Sequence, residues 1–167
     1  MVSNGDAGKV ESAPDGSDRY KLAYEAAMHS LSQQDGTLGN LRNRATGLVT
    51  IATVIASFAG FFGVGTKDKP LPAEYAVGLV IFIVLIVAAV MYVLMPKKDW
   101  AFGPDAKDIL DSEYGGSELL WSQALGMHDS VADNDKEINR RAKAYSVAVV
   151  LLGLEAVYTV IVSLVSR

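Results

Sequence analysis

The chain has 167 residues, of which 50% are hydrophobic, and a formal net charge of -4. It contains no cysteine, which excludes disulfide bonds, thiolate metal sites and cysteine nucleophiles. Its apolar residues form long runs, so we predict an all-α membrane protein with three transmembrane helices and cytoplasmic helical extensions.

The N-terminal region divides into a tail and a helix. Residues 1–16 are rich in glycine, serine and aspartate and lack aromatic residues, so we predict a disordered tail. Apolar residues at helical spacing predict a cytoplasmic helix over residues 17–44. Gly36 and Gly39 each cost about 1 kcal/mol in a helix interior. The helix therefore breaks or bends there, or else continues without interruption into the next segment.

Two apolar runs follow the N-terminal helix. Residues 45–66 and 75–96 contain no Asp, Glu, Lys or Arg. As helices, each would extend ~33 Å, which matches a hydrocarbon core of roughly 30 Å. We predict that they form the first and second transmembrane helices. Residues 67–74 between them are short and contain two prolines, which predicts an external hairpin.

The C-terminal part of the chain begins polar and becomes apolar. Residues 97–144 are predicted to form a cytoplasmic helical region, which Gly115 and Gly116 divide. Residues 145–166 are predicted to form the third transmembrane helix, interrupted by a single charged residue, Glu155. The sequence has no stop signal before this span, so one long helix is expected from about residue 130 onwards.

The distribution of lysine and arginine predicts the topology. Basic residues flank the spans at the N-terminal helix and at residues 97–144, and the positive-inside rule places both regions in the cytoplasm. The C-terminus then lies outside. Four arginines mark the cytoplasmic junctions of the first and third spans: Arg42, Arg44, Arg140 and Arg141. They are either ordinary anchors at the headgroup level or a site for phosphate or another anion beside a pore mouth.

The sequence offers few residues for catalysis. His29 and His128 are isolated, with neither an HExxH motif nor metal-ligand spacing around them. There is no phosphate-binding glycine loop, and the spans contain no Ser/His pair or paired aspartates. We therefore predict that the protein is not an enzyme, and that it uses no metal or other cofactor and binds no nucleic acid.

Polar residues follow a regular spacing in two of the predicted spans. In the first span, intervals of four and three residues separate Thr46, Thr50, Thr53, Ser57 and Gly60. In the third span, intervals of four residues separate Glu155, Thr159 and Ser163. Each set falls on one helix face. These faces either pack helix against helix, with hydroxyls bonded to their own backbone, or line a polar pathway between assembled chains.

Glu155 bears on that choice. An ionised carboxylate at the centre of a span costs about 2.5–3.5 kcal/mol, so its side chain should face protein or water and not lipid. In a dry interface a neutral acid would donate a hydrogen bond to a neighbouring helix. In a wet oligomer centre, copies of Glu155 would form a negatively charged ring that favours cations. A proton relay is a third interpretation, although no other Asp, Glu or His lies in a span.

The layout resembles a known family. The stretch "YKLAYEAAMHSLSQQDGTLGNLRNRATGLVTIATVIASFAGFFG", followed by a second span and a long cytoplasmic helix, resembles the SLATT proteins of bacterial membranes. The stretch "LLGLEAVYTV" is similar to the third span of three-span actinobacterial relatives. The resemblance implies a pore-forming effector of the bacterial inner membrane in an anti-phage or other conflict system. It also implies activation by a nucleotide-signal system or a cytoplasmic regulator.

Two functions remain open from the sequence. The first is an oligomeric membrane effector that permeabilises the inner membrane when triggered, with membrane lipid and further copies of the chain as partners. The alternative is a non-conducting membrane scaffold or accessory subunit that recruits another protein. The polar faces, Glu155 and the basic junctions motivate the first function, but the same faces suit the second.

Overall fold

The computed structural model describes residues 16–61, 73–97 and 100–165, except for the side chains of residues 58–61. The described residues form four helices and no strand, which confirms the predicted all-α class. The helices are α1 (Gly16–Phe61), α2 (Ala73–Leu94), α3 (Ala106–Leu110) and α4 (Gly116–Val165). Residues 1–15 of the predicted tail and most of the predicted hairpin lie outside the described residues, whereas Gly16, the last residue of the predicted tail, begins α1.

Helix α1 continues for 46 residues through Gly36 and Gly39. Its inward positions recur at intervals of four and three residues. They are Gln34, Leu38, Leu41, Ala45, Leu48, Ala52 and Ile55. Packing along this row stabilises the helix against the about 1 kcal/mol that each glycine costs, because most helical stability in proteins comes from tertiary packing. The sequence left both a broken or bent helix and a continuous helix open, and the structure has the continuous helix.

Local chemistry accounts for the other helix ends. Helix α2 ends at Leu94, two residues before Pro96. This end is expected, because a proline disfavours helical geometry in the residue before it. Asp105 caps α3 by accepting a hydrogen bond from the Lys107 backbone N–H at 2.9 Å. Helix α4 begins at Gly116, whose φ of +57° favours glycine. The break at Gly115 and Gly116 therefore exists, and α4 begins well before residue 130.

Of the described residues, 16–32 and 101–131 form the first of two compact units. Its buried apolar side chains include Leu31 of α1 together with Ala124 and Met127 of α4. Gly103 has a φ of +153°, and an added Cβ there would lie 3.3 Å from the Met28 Sδ atom. The connection from residue 101 towards α3 thus passes close against α1 in this unit.

The second unit contains the described residues between 33 and 100 and those from 132 to 165, where α1, α2 and α4 share one apolar core. Its buried apolar residues are Ala45, Leu48, Ile86, Val90, Val93, Ala148 and Leu152. Side-chain contacts pair the end of α2 with the middle of α4, and the start of α2 with the last turns of α4. Within this unit α2 is therefore antiparallel to α4, whereas α1 is parallel to α4.

Two described helices, α2 and α4, are long and apolar enough to cross a membrane. Only 17% of the apolar window of α2 and 22% of that of α4 is buried. A core helix of a water-soluble protein would be mostly buried, whereas these helices expose large residues such as Val80, Val84 and Leu154. The first predicted span, residues 45–66, is described only as far as Phe61, and a third span stays a prediction.

Candidate functional site

The polar residues of the first predicted span lie on the outside of the second unit. We call the exposed residues Thr46, Thr50, Thr53 and Ser57 the hydroxyl face. Each hydroxyl donates to the backbone carbonyl four residues earlier, at distances between 2.7 and 3.4 Å. No described side chain of another helix accepts a hydrogen bond from these hydroxyls. The surroundings of Gly60, the last residue of the predicted stripe, lie outside the described part of the chain.

The hydroxyl face and the inward row of α1 point in different directions. At 3.6 residues per turn, their centres are roughly 140° apart around the helix axis. Asn43 and Gly39, which precede Thr46 at the same intervals of three and four residues, lie on the same side of α1 as the hydroxyl face. One side of α1 thus packs within its own chain, while another side with a similar repeat remains open.

Glu155 lies inside the second unit, on the inward row of α4. This row contains Asn134, Arg141, Ala148, Glu155 and Val162 at intervals of seven residues, and each is buried. The Glu155 side chain is 1% exposed, and its Oε2 atom has no hydrogen-bond partner among the described residues. Its neighbours along the row, Ala148 and Val162, are apolar. Glu155 therefore faces protein and not lipid, with an unsatisfied carboxyl oxygen.

The two polar stripes do not meet on one surface. Thr159 and Ser163 are half-buried, and the Thr159 hydroxyl donates to the Glu155 backbone oxygen at 2.9 Å. They follow Glu155 towards the inside of the unit, whereas the hydroxyl face of α1 is exposed. The structure therefore does not join the residues of the two stripes into a single polar wall.

Arg141 is part of the core. Its Nε atom donates to Glu137 Oε1 at 2.9 Å, and its Nη1 atom donates to the Val93 carbonyl at 3.2 Å. Val93 belongs to the last turn of α2, where carbonyls lack partners within the helix and a nearby cation is favourable. Arg141 thus caps α2 from α4, and it is not available to lipid phosphate or to a free anion.

The other three junction arginines differ from Arg141. Arg44 is exposed, and the Arg140 side chain is 70% exposed with its Nη1 atom 3.9 Å from Glu137 Oε2. Arg42 is half-buried, and its Nε atom is buried without a hydrogen-bond partner among the described residues. Surface anchoring or anion binding at this junction would therefore fall to Arg44 and Arg140.

Several polar contacts were not foreseen from the sequence. Gln34 Nε2 donates to Asp135 Oδ1 at 2.6 Å, which joins α1 to α4. The Tyr158 hydroxyl donates to the Tyr75 carbonyl at 3.3 Å, which joins α4 to the first turn of α2. Gly78 is the one sequence signal for the second contact, because a glycine in an apolar helix often permits close approach. An added Cβ there would lie 2.5 Å from the Tyr158 hydroxyl oxygen.

An exposed ion pair lies on α4 before the apolar segment. Lys136 Nζ is 2.9 Å from Asp133 Oδ1. This hydrogen bond and the charge of Lys136 hold the pKa of Asp133 below its usual value of 3.8, and the charge of Lys97 contributes in the same direction. Both side chains are about 70% exposed, so the pair adds little to stability.

The first unit contains an open groove of about 370 Å³ between α1 and α4. Alanines form one wall, and Trp121, Leu125 and His128 line the other. Within the described residues no group of three or more His, Asp or Glu side chains could hold a metal ion. The groove holds no arrangement of an acid, a base and a nucleophile that indicates chemistry.

No protein family, curated protein or solved structure matches this chain. The described residues present an open hydroxyl face on α1 and a buried, unsatisfied carboxyl on α4.

Proposed function

We propose that this chain is a three-span protein of the bacterial inner membrane that assembles with further copies of itself and permeabilises the membrane when triggered. The observation that carries the proposal is the exposed hydroxyl face of α1. It contains no charged residue, and all four of its side chains are exposed in the described part of the chain.

The chemistry of the hydroxyl face suits contact between membrane helices. Small and hydroxylated side chains let helices approach closely, and their hydroxyls can bond across the interface. The interval of four and three residues is that of a left-handed coiled-coil seam. Every copy of the chain carries the same face, so two copies can pair through it symmetrically.

An assembly joined in this way provides a route for water and ions. A Thr or Ser hydroxyl that bonds its own backbone still has lone pairs to accept a hydrogen bond from water. Hydroxyl groups from several copies of α1 would line a polar path if the helices moved apart slightly. The resemblance to SLATT proteins supplies the setting, in which a nucleotide signal or a cytoplasmic regulator triggers the opening during anti-phage defence.

Purified protein in dye-loaded liposomes tests this proposal. We expect the double substitution of Thr50→Leu and Thr53→Leu to lower the oligomer mass seen by native mass spectrometry and to reduce dye release at least tenfold. The matched control is Val80→Leu with Val84→Leu on the exposed side of α2, which should change neither measurement. A monomeric unsubstituted protein that releases no dye under any activating condition would rule out the proposed function.

A non-conducting scaffold is the second candidate. Two observations favour it: the four hydroxyls are already bonded to their own backbone, and Glu155 is enclosed within the chain. The same hydroxyl face would then bind a different membrane protein. Expression in bacteria separates the two functions, because an effector depolarises the cells whereas a scaffold leaves the membrane potential unchanged and co-purifies with its partner.

A further inference from the structure

The carboxyl group of Glu155 is enclosed without the partners that a buried polar group normally has. Its Oε2 atom is buried and accepts no hydrogen bond from any described residue. Most buried polar groups in proteins are satisfied, so an unsatisfied one requires a physical explanation. Burial is unfavourable in either protonation state, because the ionised and the neutral carboxyl both lose hydrogen bonds to water.

Among the described residues, the polar groups of Arg141, Tyr158 and the hydroxyl face are bonded elsewhere or point away from Glu155. Arg141 is 14 residues away, which is about 21 Å along the helix, and it already bonds Glu137 and Val93. The Tyr158 hydroxyl is engaged with the Tyr75 carbonyl. The hydroxyl face of α1 points away from the core. The layer of the core that contains Glu155 therefore has an unsatisfied polar atom, whereas the layers of Ala148 and Val162 beside it bury apolar side chains.

We infer that Glu155 regulates opening: its unsatisfied carboxyl weakens the packing of α4 in the closed unit, and it leaves the core for water when the assembly permeabilises the membrane. This inference rests on the proposed function and assigns its regulation to one side chain. Thr159 and Ser163 lie on the same side of α4, so a rotation of the helix that exposes Glu155 also brings their hydroxyls towards the polar path.

The first test is replacement of Glu155 by an apolar residue of similar length. We expect Glu155→Met to raise the thermal midpoint of unfolding in detergent by several degrees and to slow dye release from liposomes at least tenfold. Glu155→Gln retains a buried polar group and should fall between the unsubstituted protein and Glu155→Met in both measurements. The matched control is Val157→Met, an exposed position on α4, which should leave both unchanged.

The second test uses the absence of native cysteine. A cysteine introduced by Thr159→Cys leaves Glu155 in place and lies on the same side of α4. It should react with a charged, membrane-impermeant thiol reagent under conditions that release dye, and should be protected under conditions that do not. The control is Ala148→Cys, seven residues before Glu155 on the inward row of α4, which should stay protected in both conditions. Protection of Thr159→Cys during dye release would overturn the inference.

The outcomes separate this inference from the proposed function. A lower unfolding midpoint in Glu155→Met would show that the carboxyl stabilises the closed unit, and would overturn the inference. Unchanged dye release by Glu155→Met would also overturn it while leaving the proposed function intact. No dye release by the unsubstituted protein under any activating condition would overturn the proposed function, and the regulatory role of Glu155 with it.

Discussion

Single side chains join the helices of the second unit, and Arg141 is the most constrained of them. It is 3% exposed, yet its guanidinium group contacts both a carboxylate of its own helix and a backbone carbonyl of α2. A buried charge is tolerated when such partners satisfy it, and removal of one partner is costly because the other stays buried. Arg141 therefore acts as a structural bond between α2 and α4.

We predict that Arg141→Met destabilises the protein by about 2–4 kcal/mol, because Glu137 loses its hydrogen-bonded partner and the Val93 carbonyl loses its cap. Equilibrium unfolding in detergent micelles measures this free energy. The control is Arg140→Met, whose exposed side chain should contribute less than about 0.5 kcal/mol. Equal effects of the two substitutions would contradict the assigned role of Arg141.

The sequence alone could not separate these two neighbouring arginines. Arg140 and Arg141 have the same chemistry and adjoin the same span. Successive helix residues are about 100° apart, so a rotation of one residue decides which side chain faces the core. The inward row of α4 settles this, because seven-residue intervals lead from Arg141 through Ala148 to Glu155.

Contact between whole helices depends on a close approach of α2 and α4. The Tyr158 ring contacts Gly78, and its centroid lies 5.7 Å from that of Phe82. The Tyr158 hydroxyl also reaches the first turn of α2. A side chain at position 78 would force the tyrosine away, and the two helices would lose both the ring contact and the hydrogen bond.

We predict that Gly78→Ala lowers the free energy of unfolding by about 1–3 kcal/mol, because the new Cβ would overlap the Tyr158 side chain. The loss should be smaller when Tyr158→Phe is already present, since the hydroxyl oxygen is the atom closest to the new Cβ. A double-mutant cycle in detergent measures this coupling. Additive effects of the two substitutions would show that the residues do not interact.

At the scale of the whole molecule, the main feature is its apolar outer surface. Only 17% of the apolar segment of α2 and 22% of that of α4 is buried, and α1 packs beside them through its inward row. Lipid is the environment in which such a surface is stable. The parallel direction of α1 and α4, with α2 reversed, supports the proposed topology of three crossings.

We predict that a membrane-impermeant maleimide applied to intact cells labels a cysteine at Lys69→Cys but not one at Asp18→Cys or Lys107→Cys. The positive-inside rule places residue 69 outside and the other two in the cytoplasm. Permeabilised cells provide the control, because all three variants should then be labelled. Labelling of Lys107→Cys in intact cells would exclude the proposed topology.

Much of the architecture was predictable from the sequence because it depends on local patterns. The charge-free runs indicated apolar helices, Pro96 indicated the end of α2, and Gly116 indicated a break before α4. The continuity of α1 through Gly36 and Gly39 was undecided. Helix propensity alone disfavours a helix through glycine. Packing of the inward row against α2 and α4 outweighs this cost, and that packing depends on all three helices together.

The sequence by itself determined the class of the protein, the apolar helices and the residues that share each polar stripe, because helical periodicity is a local property of the chain. Only the tertiary structure decided which way those stripes face. It leaves the hydroxyl face of α1 open and encloses Glu155, because the direction of a side chain depends on how each helix is rotated against its neighbours. That rotation follows from packing between residues as distant in the sequence as Gly78 and Tyr158.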